Sequence, residues 1–158
     1  NDQFNVVYDN EKISKMIRSA KPSDIDEIVA LIQPYIIDFA ISTEGEEKFN
    51  RIMIEKLLEM PSMQYFVFEK NAQFIGVIAY RQSAHLIHFF VHQNFQRQGV
   101  GKQMWQFVEN KIKENSSSVT VNSSCYAQAI YEKFGFTTIS SVIENGGLRY
   151  IPMQKSDL

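Results

Sequence analysis

Cysteine is nearly absent. The one residue, Cys125, cannot form an internal disulfide, so a compartment that keeps thiols reduced is expected, the cytoplasm being the expected location. An excess of one charge is missing too. A formal net charge of −2 gives no general field to gather nucleic acid or an anionic bilayer; neither is expected as a partner, and any anionic ligand must be held locally. Long apolar runs are lacking as well. The longest, FIGVIAY at residues 74–80, is strand length, short of the roughly 18 to 20 residues a membrane-crossing helix needs. The opening NDQFNVVYDNEKISK has no apolar stretch of the kind an export signal requires. Internal repeats are not visible, and only NSSSVTVNSS, residues 115–124, is of low complexity. The three histidines show no spacing such as H-E-x-x-H and one cysteine cannot build a structural zinc site, so no metal is expected.

What is present suits one compact domain: 158 residues, 44% of them hydrophobic, are enough for a real core. Residues 1–15 read as an N-terminal extension of uncertain status and 16–158 as the single domain, with Met16 near its start. After a short strand at 16–20, Pro22 and the following Ser-Asp open a helix whose Ile25, Ile28, Val29 and Ile32 share a face. A second helix is predicted from about 46 to 59, with Phe49, Ile52 and Met53 on one face and Pro61 as its stop. Three consecutive strands follow, MQYFVFE, FIGVIAYR and LIHFFV, rich in aromatic and β-branched residues and expected to be antiparallel. Gly99 to Lys113 gives a helix with Val100, Met104, Phe107 and Val108 on one side. SVTV is a strand, YEKFGF closes a short helix, and TTISSVI and LRYIPMQ are strands about the turn ENGG. The order βααβββαβαββ describes an α/β chain with a mixed, mostly antiparallel sheet flanked by helices.

The junction QRQGVG, residues 96–101, stands where an apolar strand ends and an amphipathic helix begins. Two glycines one residue apart arise by chance in a chain of this length, so the context carries the signal. The first helical turn has amides without intrahelical acceptors and the positive end of the macrodipole, so a phosphate can accept several of these donors together. Gly99 and Gly101 remove the Cβ that keeps a phosphate at a distance, and Arg97 and Lys102 add charge. Two better-known phosphate motifs are excluded. A P-loop needs Ser or Thr after its lysine, whereas Gln103 follows Lys102; a dinucleotide fingerprint needs a third glycine where Met104 stands. The alternative is a helix start whose glycines serve only a tight turn.

FFVHQNFQRQGVGKQMW, residues 89–105, resembles the acyl-CoA pyrophosphate loop of the GNAT superfamily of N-acetyltransferases, whose [QR]-x-x-G-x-[GA] is met by Gln96, Gly99 and Gly101. VTVNSSCYAQAIYEKFGF, residues 119–136, resembles that family's next segment, a strand and then a helix ending Y-E-K-x-G-F. Both occur in the family's order, and the resemblance spans about 16–155. It implies a splay between the strand ending at Val91 and the next, parallel strand, with acetyl-CoA as cosubstrate in the gap. The implied cofactor-binding set is Phe90 and Val91 on the strand, Gln96, Arg97, Gln98, Gly99, Val100, Gly101 and Lys102 in the loop and helix start, Asn122 on the next strand, and Tyr131. Gln93 and Cys125 stand where relatives commonly have proline.

The implied reaction is direct transfer of acetyl to a primary amine of a small-molecule or peptide acceptor within a ternary complex. Such an amine, with a pKa near 10, is almost wholly protonated at neutral pH, so a base or a water chain must take its proton. Tyr131 matches the family tyrosine that protonates the departing thiolate; otherwise it is an aromatic closing its helix on the core. His88 is the candidate base, set against a satisfied structural histidine, and Glu44 is a weaker one. Cys125 as a nucleophile lacks a histidine partner in the sequence. The competing function is a non-catalytic acyl-CoA-binding sensor or scaffold. A homodimer would be ordinary for such a domain.

Overall fold

The computed structural model describes residues 16–82 and 84–158; the expected N-terminal extension, 1–15, lies outside the described residues. The strands are β1 (Ile17–Ser19), β2 (Met63–Lys70), β3 (Gln73–Arg81), β4 (His85–Val91), β5 (Val119–Ser123), β6 (Thr137–Thr138), β7 (Ile143–Asn145) and β8 (Leu148–Lys155). The helices are α1 (Ile25–Ile32), α2 (Thr43–Glu47), α3 (Arg51–Glu59), α4 (Val100–Ile112) and α5 (Gln128–Lys133), with 3₁₀ segments at Pro22–Asp24, Gln33–Asp38 and Gln93–Phe95. The eight strands form one sheet in the order β1-β2-β3-β4-β5-β8-β6, with β7 on the remaining part of β8. All pairings are antiparallel except β4 with β5.

Strand alternation sends side chains to two cores. On one face Tyr65, Val67, Val77, Ala79 and Phe90 meet Ile28, Leu31 and Ile32 of α1 and Ile54 of α3. On the other, Phe66, Phe68, Ile78 and Leu86 meet Val100, Met104, Trp105, Val108 and Ile112 of α4, together with Tyr131 and Phe136. Each fully buried aliphatic or aromatic side chain here contributes about 1.5–3 kcal/mol, and Val100 and Met104 in the second of these cores hold the first turns of α4 against the sheet.

Two local departures have physical causes. The single helix expected over 46–59 is broken, because Asn50 Oδ1 accepts from Met53 N–H at 2.9 Å and caps α3, while Ser42 Oγ caps α2 through Gly45 N–H; an Asn side chain competing for backbone donors starts a helix rather than continuing one. Ile54 is then the fully buried residue and Ile52 is 59% exposed, whereas Phe49 of the expected face does pack against the α1–α3 core. The strand expected over TTISSVI is likewise interrupted. Pro152 of β8 gives its carbonyl to Ile139 N–H at 2.8 Å but has no N–H to return, so pairing ends there and resumes only at Ile143 opposite Tyr150.

Candidate active site

The parallel pairing of β4 with β5 consists of His85 opposite Thr120 and Leu86 opposite Val121. Ile87–Val91 and Asn122–Ser123 lie past the last pair, so the strands part there. Which backbone groups of β4 line the opening follows from its other neighbour. His92 N–H donates to Ile75 O at 2.7 Å and Val91 is opposite Gly76. In an antiparallel ladder alternate residues direct both backbone groups to the same side, so Phe90 and His92 serve β3 while the amides and carbonyls of Phe89 and Val91 face the gap. The bulge in this pair falls between Leu86 and His88, Tyr80 and Ala79 being their partners, and leaves alternation from His88 to Val91 intact.

The glycine loop closes the wide end. Arg97 has φ 63° and Gly99 φ 79°, left-handed conformations that turn the chain into α4, whose first i to i−4 bond runs from Gln103 N–H to Gly99 O at 3.2 Å. The amides of Val100, Gly101 and Lys102 precede that bond and have no acceptor within the helix. A Cβ built on Gly99 meets nothing within 4 Å, and one on Gly101 makes ordinary 3.7 Å contact with Phe89 and Val91. The helix start thus rests on the very strand residues whose backbone faces the gap, with open space over Gly99. Arg97 and Lys102 are exposed beside it, Gln98 is half-buried and its Nε2 donates to Asn94 O.

A tyrosine stands on each side. On the α4–α5 face Tyr131, 7% exposed, packs edge-on against Phe89 at 6.3 Å and Phe136 at 5.3 Å between ring centres; burial pushes its phenol well above the ordinary value, so it stays protonated. On the α1–α3 face Tyr35 stacks on Phe90 at 5.5 Å and donates its hydroxyl to Val91 O at 2.5 Å. Gln96 Nε2 donates to both Tyr35 Oη and Val91 O. Burial raises the Tyr35 phenol, the Gln96 bond works against this, and the Asp38 carboxylate adds to it.

The remaining expected residues are spread around this centre. Asn122 is exposed on the far wall. Phe90 turns its ring into the α1–α3 core and its backbone to β3. His88, 5% exposed, shares that core: its Nδ1 is 2.9 Å from Tyr65 Oη, and it packs against Phe49 and Phe90. Burial lowers its pKa to about 4, so it is neutral at pH 7. Cys125 and Glu44 are exposed.

A helix start with free amides beside an unpaired parallel strand is the arrangement the family resemblance implies, and comparison with known proteins decides the matter. The sequence model of the acetyltransferase (GNAT) domain matches residues 37–157. The chain belongs to the GNAT acetyltransferase family. Its enzyme class is acyl transfer, and the matched region holds the loop, the gap and Tyr131. No curated protein sequence matches this GNAT chain. Among solved structures, a GCN5-related N-acetyltransferase from Rhodopseudomonas palustris is 19% identical over 89% of this chain and 94% of its own, with a TM-score of 0.72. The PaiA N-acetyltransferase from Thermoplasma acidophilum, solved in complex with coenzyme A, is 15% identical over 89% and 97%, TM-score 0.70. The ribosomal-protein-S18-alanine N-acetyltransferase from Escherichia coli is 18% identical over 89% and 92%, TM-score 0.66. At these identities the likeness is one of fold. No helix among the described residues of this GNAT chain is long and apolar enough to cross a membrane. Sequence reasoning missed Phe89 and Tyr35. Alternation along β4 would have paired Phe89 with Val91; nothing local announces that Tyr35, 56 residues away, reaches Val91 O.

Proposed function

We propose that this GNAT chain transfers an acetyl group from acetyl-CoA to a primary amine by direct attack. The observation that carries this is the start of α4: acceptor-free amides at Val100–Lys102, open space over Gly99, and contact with the gap-facing β4 residues Phe89 and Val91. These features suit a diphosphate on the amides, with the pantetheine arm running along the backbone edge of Phe89 and Val91 past Asn122. Adenylate-side charge is met by exposed Arg97 and Lys102. The single, exposed Cys125 is compatible with work in the cytoplasm.

The chemistry divides among the groups already placed. The N–H of Phe89 or Val91 faces the gap and supplies a donor for the oxyanion of the tetrahedral intermediate, a contribution of roughly 3–4 kcal/mol when so aimed. Tyr131, kept protonated by burial, donates to the departing thiolate. The acceptor enters from the α1–α3 side, where Tyr35 marks the end of β4. Its proton goes to solvent in this reading, because His88, although neutral, is enclosed by Tyr65, Phe49 and Phe90. The test is CoA release with a panel of primary amines alongside calorimetric titration with acetyl-CoA. Turnover with at least one amine, together with saturable binding, is expected. Binding without turnover on any of them would instead favour a CoA-binding sensor, and no binding at all would remove both.

A further inference from the structure

The 3₁₀ segment Gln33–Asp38 has three residues per turn, so residues three apart lie one above the other. Tyr35 and Asp38 therefore share a side, and Tyr35 fixes that side against the carbonyl of Val91. Three of the segment's other residues, Gln33, Ile36 and Ile37, line with Ala40 a cleft of about 500 Å³ toward α2 and α3. The end of the segment is held firmly. Phe39 packs on Phe49 and Phe90, and its carbonyl accepts from Arg149 N–H at 2.8 Å.

Asp38 is half-buried. The ion pairs among the described residues join Arg18 to Asp24 and Glu69, Arg51 to Asp26 and Glu55, Arg149 to Glu144, and Lys155 to Glu109; none reaches Asp38. Partial burial raises its carboxyl with no offsetting cation, and its charge is felt at Tyr35. A partly desolvated carboxylate without a partner is an unmet demand that a cationic ligand can satisfy through a charge-assisted hydrogen bond.

We infer that Asp38 binds the second ammonium group of a diamine acceptor whose other nitrogen is acetylated at the Val91 end of the gap. The inference rests on the acetyl-transfer reading above. A lasting ion pair with the reacting nitrogen would hold that nitrogen protonated, and a protonated amine cannot attack; the partner of Asp38 is therefore a different positive group on the same molecule. One 3₁₀ turn rises about 6 Å, so Asp38 stands about that far from Tyr35 along the segment, a separation that a short alkyl chain spans.

The test is steady-state acetylation of 1,4-diaminobutane and of butylamine by the full chain, comparing wild type, Asp38→Asn and Asp38→Glu, with acetyl-CoA affinity measured by calorimetry in each. Wild type is expected to prefer the diamine by about tenfold or more in kcat/KM, the range of a hydrogen bond to a charged partner. In Asp38→Asn the preference should fall to near one, mainly through a higher KM for the diamine, and Asp38→Glu should restore part of it. The acetyl-CoA affinity, held by the glycine loop, serves as the folding control. An unchanged diamine-to-monoamine ratio in Asp38→Asn overturns the inference. So does a wild type that binds acetyl-CoA yet shows no preference or acetylates neither amine. Failure of folded wild type to bind acetyl-CoA strikes the acetyl-transfer reading itself, so the two failures are distinguishable.

Discussion

At Gly99 the cost of a substitution to the fold can be separated from its cost to the ligand. The residue has φ 79° and ψ 0°, and a Cβ there meets nothing within 4 Å, so the added Cβ brings no clash. What remains is the left-handed penalty, about 1–2 kcal/mol for an ordinary residue and less for Asn or Asp, which visit that region more readily. Asn and Asp are close to isosteric, so Gly99→Asn and Gly99→Asp differ in effect by one charge. At the start of α4 that charge favours the fold, since a carboxylate beside a helix N-terminus gains about 0.3–1 kcal/mol. For a bound diphosphate it does the opposite. A carboxylate about 6 Å from each of two phosphate charges is repelled by about 0.7 kcal/mol per charge in bulk water, together about a tenfold loss of affinity, and about four times that energy at the effective dielectric near a protein surface. Stability and affinity should therefore rank the two variants in opposite orders. Urea unfolding should place Gly99→Asp at or above Gly99→Asn. Calorimetry with acetyl-CoA should place it at least tenfold below, with the gap narrowing as salt is raised. Equal affinities for the two variants would refute the seating of the diphosphate on this helix start.

Tyr131→Phe keeps the ring against Phe89 and Phe136 and removes only the hydroxyl; kcat should fall by about 10²- to 10⁴-fold with acetyl-CoA affinity and Tm nearly unchanged, and a kcat within about threefold of wild type would exclude the acid role. His88 has a folded pKa of about 4, lowered by burial, against about 6.5 when unfolded. Between these values the unfolded chain binds the extra proton, so stability is full above about pH 6.5 and is lost as pH falls toward 4, by on the order of 3 kcal/mol. Urea unfolding across that window should flatten in His88→Gln relative to wild type, and parallel curves would show that His88 does not carry the dependence; the same variant should retain kcat at neutral pH within a few-fold, as expected if solvent takes the proton. Gly45→Ala would drive a Cβ to 1.9 Å from Gly147 O, backbone against backbone between α2 and the β7–β8 turn, and should destabilise by about 1–3 kcal/mol in urea, with an unchanged midpoint sinking the close approach.

The parts legible in the sequence are those that one segment's own pattern determines. Two-residue alternation marks β2, β3 and β4, the spacing of Val100, Met104 and Val108 marks α4, and the glycines mark its start. The break at Asn50 is local as well, because in sequence a capping Asn looks like one more helical residue. Tyr35 at Val91 is of another kind. It depends on a 3₁₀ segment following α1, on Phe90 facing that layer, and on Val91 O having no strand to bond, and no single segment contains all three conditions.

That last condition explains why the site exists at all. β4 is held to β3 by six register pairs from Gly76/Val91 to Arg81/His85, and β5 to β8 by five from Val119/Lys155 to Ser123/Ile151, whereas two pairs join β4 to β5. The sheet is therefore two well-bonded halves meeting along a short seam. Strand edges left unpaired away from water are costly, so the carbonyl of Val91 is met by Tyr35 and Gln96 instead of by β5. The amides of Phe89 and Val91 face the same gap, and an extended ligand with alternating amide groups can pair with them as a missing strand would. In the proposed function the pantetheine arm takes the place of that missing strand, and the helix start at Gly99 limits how far along the edge it slides.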